Sequence, residues 1–270
     1  MTVDFLFDSL VSLFPSWENT DPFLVISMLI PLVATFGFIT VYALVVIYAE
    51  LKVSSFIQDK VGPMGQGVGL HAGKWGLLQP IADALKLLSK EDIIPSSANK
   101  LLFILAPFMI FVGAFISFIA LPFNGSIIVS DLNIGIFYIL GVGSLAVIAL
   151  ILAGWSSNNK WSLYGGMRSA AQIISYEIPA GLSLIVVIML AGSLNMQEII
   201  IYQQGGISNW IIFDNPFMPI AFVVYFISAL AETNRTPFDL PESESELVAG
   251  FVTEYSGMRY AFFFLSEYAN

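Results

Sequence analysis

Polar and apolar positions alternate along this chain in long blocks, not at the short periods of soluble helices or strands. Phe23 to Ala49, Leu101 to Ser130 and Leu132 to Asn159 carry no charged residue, and each exceeds the roughly 20 residues that span a bilayer core as a helix. These blocks predict three transmembrane helices, with Asp131 marking a tight turn between the second and third. Arg168 to Gly192 predicts a fourth, interrupted by Glu177 and Pro179, and a fifth runs from about Ile212 to Ala231. Glu50 to Lys100 is polar and glycine-rich (VGPMGQGVGLHAG), then amphipathic. There Leu77, Leu78, Ile81, Leu85 and Leu88 recur at helical spacing beside Asp83, Lys86 and Lys90, predicting a helix on the membrane surface or on a partner. A short amphipathic piece is expected around Met196 to Gln203. Tyr255 to Asn270 give about 24 Å of helix against a core of about 30 Å. In lipid the final carbonyls of such a helix need cover from another polypeptide. The expected fold is an all-α polytopic membrane protein with five full transmembrane helices, a partial sixth, and a surface amphipathic helix in the first loop. Residues 1–22 form an acidic N-terminal tail ahead of one membrane domain over 23–270.

Composition agrees with the pattern. The chain is 57% hydrophobic and 11% charged, with mean hydropathy +0.83, far from the roughly 25% charged of soluble domains. It has no cysteine, so it cannot by itself ligate an iron–sulfur cluster or form a disulfide. A net charge of −10 with so few cations argues against nucleic acid as a partner. Met1 to Asp21 holds Asp4, Asp8, Glu18 and Asp21 and no base, the reverse of a cleavable leader, so the first apolar helix is expected to act as the insertion signal. The ten Lys and Arg fall at 52, 60, 74, 86, 90 and 100, at 160 and 168, and at 235 and 259. All lie in or beside the first, third and fifth loops, which places those loops on the cytoplasmic or matrix face and the N-terminus on the other.

Candidate chemistry concentrates in Ala231 to Glu254 (AETNRTPFDLPESESELVAGFVTE), with six carboxylates and one base, Arg235. Pro241 followed by Glu242, Glu244 and Glu246 reads as the first turn of a helix with acids at its positive end. A solvated loop is the plainer reading. The setting favours more, because the segment follows an uncharged run from Asn215 to Ala231 and so sets Glu232 and Arg235 at a membrane face. Glu177 lies roughly 13 Å along the helix axis from Arg168, at a depth where an acid costs about 3 kcal/mol unless paired or hydrated. A packing hydrogen bond would explain it; a proton path shared with Glu232 and the acids at 242, 244 and 246 is the sharper reading. The glycine-rich loop has the wrong spacing for a phosphate loop, with Trp75 after Lys74. His71, the one histidine, makes no metal site alone.

Four stretches carry a family resemblance: AETNRTPFDLPESESELVAGFVTEYS at 231–256, GWSSNNKWSLYGGMRSAAQIISYE at 154–177, GLLQPIADALKLLSKE at 76–91 and SDLNIGI at 130–136. They resemble the quinone-site membrane subunit of respiratory complex I, over about Phe23 to Asn270; the acidic tail is not part of the pattern. The resemblance implies a membrane-arm subunit of a proton-pumping NADH:ubiquinone oxidoreductase. Ubiquinone would be its substrate at a site shared with the peripheral arm, and flavin, metal and iron–sulfur clusters would sit in other subunits. It implies that Glu50, Lys60, Asp83, Arg168, Arg235 and Asp239 fall near a quinone channel. Glu177, Glu232, Glu242, Glu244, Glu246, Glu254 and Glu267 would form an acidic relay toward the pumping subunits, with none of these a redox centre. Implied partners are other membrane-arm and peripheral-arm subunits, membrane lipid, and a separate chain supplying the family's last helices, since this sequence stops at a Glu-Tyr-Ala-Asn motif. The implied location is the mitochondrial inner membrane with the N-terminus facing the intermembrane space, or alternatively a bacterial plasma membrane.

Two further departures from the family pattern stand out. Leu51 follows Glu50 where the family has Arg, leaving Lys52 as a possible substitute cation, and Lys60 replaces an Arg before the Gly-Pro pair. An ion or solute transporter using Glu177 is the rival reading, although no self-similar halves are visible. A purely structural remnant is a second, to which Leu51 lends slight support.

Overall fold

The computed structural model describes residues 21–60, 62–63, 76–123 and 129–269, without side chains at 21–28, 30–32, 242 and 244. The acidic tail over 1–20 and most of the glycine-rich loop, His71 and Lys74 included, lie outside the described residues. Helix α1 spans Asp21–Ile57, α2 Gln79–Ser89, α3 Lys100–Ser117, α4 Gly135–Ser156 and α5 Lys160–Ala191. Shorter helices follow: α6 Met196–Tyr202, α7 Ile211–Asp214, α8 Met218–Glu232, α9 Glu244–Leu247 and α10 Gly257–Ala269. Among the described residues there is no strand. Four helices, Val33–Ile57 within α1 and all of α3, α4 and α5, are long and apolar enough to cross a membrane.

The amphipathic helix and the short helix after the fourth span form as expected, but three boundaries differ, each for a physical reason. The fourth span begins at Lys160, eight residues before Arg168, and runs without interruption through Glu177 and Pro179. Asn159 caps its start by accepting from Trp161 N at 2.9 Å, and Gly192, left-handed at φ 70, ends it. Charge therefore marks where this helix leaves the lipid, not where it stops being a helix, and Pro179 removes one backbone rung without breaking it. The expected fifth span is split. Asn215 is extended, and α8, with a proline in its first turn, has 15 residues, about 22 Å. The helix expected after Pro241 is a single turn, because Val248 (φ 67) and Gly250 (φ 55) reverse the backbone.

That reversal drives Phe251 and Val252 into the main core. They meet Phe103, Ala106 and Ile110 of α3, Leu150 and Ala153 of α4, and Ala170 and Ile173 of α5. In sequence of contacts, α4 packs between α3 and α5, α5 carries α8, and α10 lies on α3 beside α1 and α2. Small residues let these helices touch. A Cβ on Gly166 would lie 2.9 Å from Leu150 O, and one on Gly165 would lie 2.6 Å from Phe251 N. The buried face of α5 is a stripe through Ser162, Gly165, Ser169, Ile173 and Ala180, while Ile178, Leu182 and Met189 face outward.

The loops sort onto two ends of the bundle. At one end, Asn159 Nδ2 donates to Glu254 Oε1 at 2.6 Å, Arg259 pairs with Asp92 at 3.1 Å, and Ser256 Oγ donates to Glu91 O at 3.1 Å. At the other, Asn195 Nδ2 donates to Asp131 Oδ1 at 2.7 Å and Ile136 N donates to Leu194 O at 3.2 Å. The first, third and fifth loops thus share one end, as the distribution of Lys and Arg requires. Tyr255 stacks on Phe103 with ring centroids 4.0 Å apart, and burial pushes its hydroxyl up to about 12. It stays protonated at any working pH and serves packing.

Replacing Gly165 with Ala should push Gly250 and Phe251 off α5, at about 1–3 kcal/mol of stability. Gly181→Ala, where an added Cβ meets nothing within 4 Å, should leave stability unchanged. Heat- or detergent-induced dissociation midpoints of the two variants in native membranes would check the contrast.

Candidate functional site

Arg235 is positioned by the way α8 ends. Arg235 N donates to Leu230 O at 3.2 Å and Phe238 N to Arg235 O at 2.7 Å, with Asn234 left-handed at φ 50 and the Thr236–Pro237 bond cis. Gln172 of α5 ties this turn down. Its Nε2 donates to Ala231 O at 2.8 Å, to Asn234 Oδ1 at 3.1 Å and to Phe238 O at 2.8 Å. Arg235 consequently reaches across to two other helices. Its Nη1 lies 3.3 Å from Glu50 Oε1 and 3.4 Å from Glu50 Oε2 on α1, and its Nη2 lies 3.5 Å from Glu267 Oε1 on α10. Its Cζ sits 4.3 Å over the Tyr268 ring, and Tyr268 donates its hydroxyl to Glu50 Oε2 at 2.6 Å. Burial pulls the guanidinium down, but Glu267, Tyr268 and Glu50 outweigh it, and its pKa lies above the ordinary value. Arg235 is a permanent cation between two acids.

Glu267 also opens inward, onto a cavity of about 510 Å³ between α3, α4, α5, α8 and α10. The walls are mostly apolar, with Tyr225, Glu232, Thr233, Asn234 and Glu267 among the residues that bring polar groups. Space and polarity both suit ordered water. Glu232 lies against α4 at Gly143, where a Cβ would come within 3.6 Å of its Oε1. Glu177 continues the inward stripe of α5, and Ser144 of α4 donates to it. Ser144 Oγ also lies 3.1 Å from Leu140 O. One hydroxyl proton cannot serve both acceptors at once.

The other expected site residues are distributed around this line. Arg168 pairs with Glu246 at 2.6 Å, and Glu254 accepts from Asn159. Asp83 is engaged within α2 by Gln79 at 3.1 Å and Lys86 at 2.8 Å, and the structure does not bring it to Arg235. Lys60 and Asp239 are exposed. The side chains of Glu242 and Glu244 lie outside the described residues. Lys52 Nζ donates to Pro63 O at 2.7 Å. Among the described residues no three His, Cys, Asp or Glu side chains converge as a metal ion would need.

The family model described as NADH dehydrogenase matches residues 30–270. The chain belongs to the NADH dehydrogenase family. It is 54% identical over 250 residues to an NADH-quinone oxidoreductase subunit of Chlorobaculum tepidum, covering 92% of this chain and 67% of that relative. The corresponding proteins of Anaeromyxobacter dehalogenans and a Geobacillus strain are 52% identical over 224 residues and 49% identical over 263. These alignments cover 83% and 97% of this chain, and 53% and 74% of the relatives. The chain thus spans about two thirds of the length of the curated relatives it matches.

Within this NADH dehydrogenase family chain, sequence reasoning missed Tyr268, Ser144, Gln172 and Tyr225. A signal existed for two of them. Gln172 and Ser144 are polar residues inside otherwise apolar runs, where an unpaired amide or hydroxyl is costly. Nothing in the pattern separated Tyr268 or Tyr225 from the many other aromatic residues. Gln172→Leu should free the turn that aims Arg235, leaving two carbonyls without that donor at about 1–3 kcal/mol. Faster proteolysis at 233–240 in isolated membranes would register the loosening, and an unchanged cleavage rate would count against it.

Proposed function

We propose that this chain is the membrane-arm subunit of a proton-pumping NADH:quinone oxidoreductase. It forms part of a quinone entry channel with the peripheral arm and an acidic relay leading from that channel toward the pumping subunits. The observation that carries this reading is Arg235 shared between Glu50 and Glu267, with Glu267 opening onto the same cavity as Glu232. A cation held between two carboxylates, one of which lines the cavity, can pass a change of charge inward, since loss of charge on one acid frees the guanidinium for the other.

In this reading Glu50, Arg235 and Arg168 face the quinone headgroup's approach, joined by Lys60, Asp83 and Asp239 at the rim. The relay runs through Glu267 and Glu232 to Glu177, with Glu242, Glu244, Glu246 and Glu254 on the surrounding loop. Ubiquinone, or another quinone, is the substrate; this chain binds and steers it, and electrons arrive from cofactors in other subunits. The partners are the remaining membrane-arm and peripheral-arm subunits and the surrounding lipid. The bacterial sources of the relatives favour a plasma membrane over the mitochondrial inner membrane. The transporter reading is weaker, because Glu177 is engaged by Ser144 in a chain of the NADH dehydrogenase family.

Glu177→Gln and Glu232→Gln should each lower proton translocation per electron in the assembled complex, with electron transfer from NADH to a hydrophilic acceptor unchanged. Quinone reductase rates and acidification measured on the same vesicles would check this. Full pumping with full quinone turnover in both variants would reject the relay.

A further inference from the structure

Two arginines at the same end of the bundle meet carboxylates in different ways. Arg168 has closed onto one acid, Glu246, at 2.6 Å, within the range of a full charge-assisted hydrogen bond. Arg235 stands 3.3 Å from Glu50 and 3.5 Å from Glu267, longer than that range in both directions. It closes fully onto neither: Nη1 makes long hydrogen bonds to both Glu50 oxygens, at 3.3 and 3.4 Å, while Nη2 stands off Glu267. What distinguishes Arg235 is the Tyr268 ring beneath its guanidinium, 4.3 Å from Cζ. That ring is itself backed by Phe264, with centroids 4.8 Å apart. A guanidinium lying on an aromatic face is held flat and directs its N–H groups outward from the ring edge. Tyr268 fixes the far side as well, since its hydroxyl donates to Glu50 Oε2 at 2.6 Å. Glu267 and Tyr268 are neighbours on α10 and diverge by about 100° around the helix, so one turns to the cavity while the other turns under Arg235 and toward α1.

We propose that Tyr268 is a positioning residue that keeps Arg235 shared between Glu50 and Glu267, so that a change of charge on one carboxylate is felt at the other. This inference rests on the channel-and-relay reading above and names the joint between its two parts. Without the ring, the guanidinium drops onto whichever acid is nearer, as Arg168 does. Without the hydroxyl, Glu50 loses the donor that orients it and the sharing is biased.

The test uses the assembled complex in native membrane vesicles, with Tyr268→Phe, Tyr268→Leu, Glu50→Asp, Glu267→Gln and the double variant Glu50→Asp/Tyr268→Phe. Tyr268→Phe keeps the ring and should assemble normally on a native gel. It should lower quinone-reductase kcat by about threefold to tenfold, the value of an ordinary hydrogen bond, with little change in KM. Tyr268→Leu should lose more. Glu50→Asp retracts the carboxylate from the hydroxyl, so adding Tyr268→Phe to it should cost less than about twofold further, the mark of coupled positions. A Tyr268→Phe complex turning over at the wild-type rate while Glu267→Gln is impaired would overturn the role of Tyr268 and spare the relay. Losses that multiply in the double variant would overturn it too. Wild-type turnover in both Glu50→Asp and Glu267→Gln would bring down the relay itself, and this inference with it.

Discussion

An ion at the edge of a bilayer must be paired or watered, and Arg235 is where that requirement organises the chain. It draws Glu50 from α1 and Glu267 from α10 toward one guanidinium, three elements far apart in sequence. The surrounding geometry serves this centre. Gln172 fixes the turn that carries Arg235, and the clip between Asp92 and Arg259 sets α10 against the end of α2.

The apolar framework permits this polar line by bringing helices unusually close. Gly165 and Gly166 let α5 lie against both α4 and the backbone of 250–251, which seals the bundle at its basic end. Farther along, the same helices part around the cavity that Glu232 and Glu267 share. Tight contact and open space thus follow one another along α4 and α5, and the carboxylates occupy the open part.

The block pattern of the sequence made the all-helical architecture and the shared end of the first, third and fifth loops legible, because charge and hydropathy report directly on solvent. It was a poor guide to helix ends. Lys160 and Arg168 suggested a loop, yet a helix needs a cap, not an absence of charge, and Asn159 supplied it. The break at Asn215 was hidden by the apolar residues on both sides. Among site residues, Glu50, Arg235 and Glu267 were nameable in advance through the family resemblance, and Glu177 and Glu232 from the cost of an acid at their depth. Which of them touch was not, since that depends on rotamers and on the turn after α8. Tyr268 escaped because its importance comes wholly from what lies on its ring.

The continuity of α5 has a further consequence. Arg168, paired to the acidic loop, and Glu177, engaged by Ser144, sit on one unbroken 32-residue rod. Glu177 therefore hangs like a weight on a plumb line of fixed length, about 13 Å below the arginine. Thinning or thickening of the surrounding bilayer shifts the lipid level past both groups, but cannot alter the axial spacing between them.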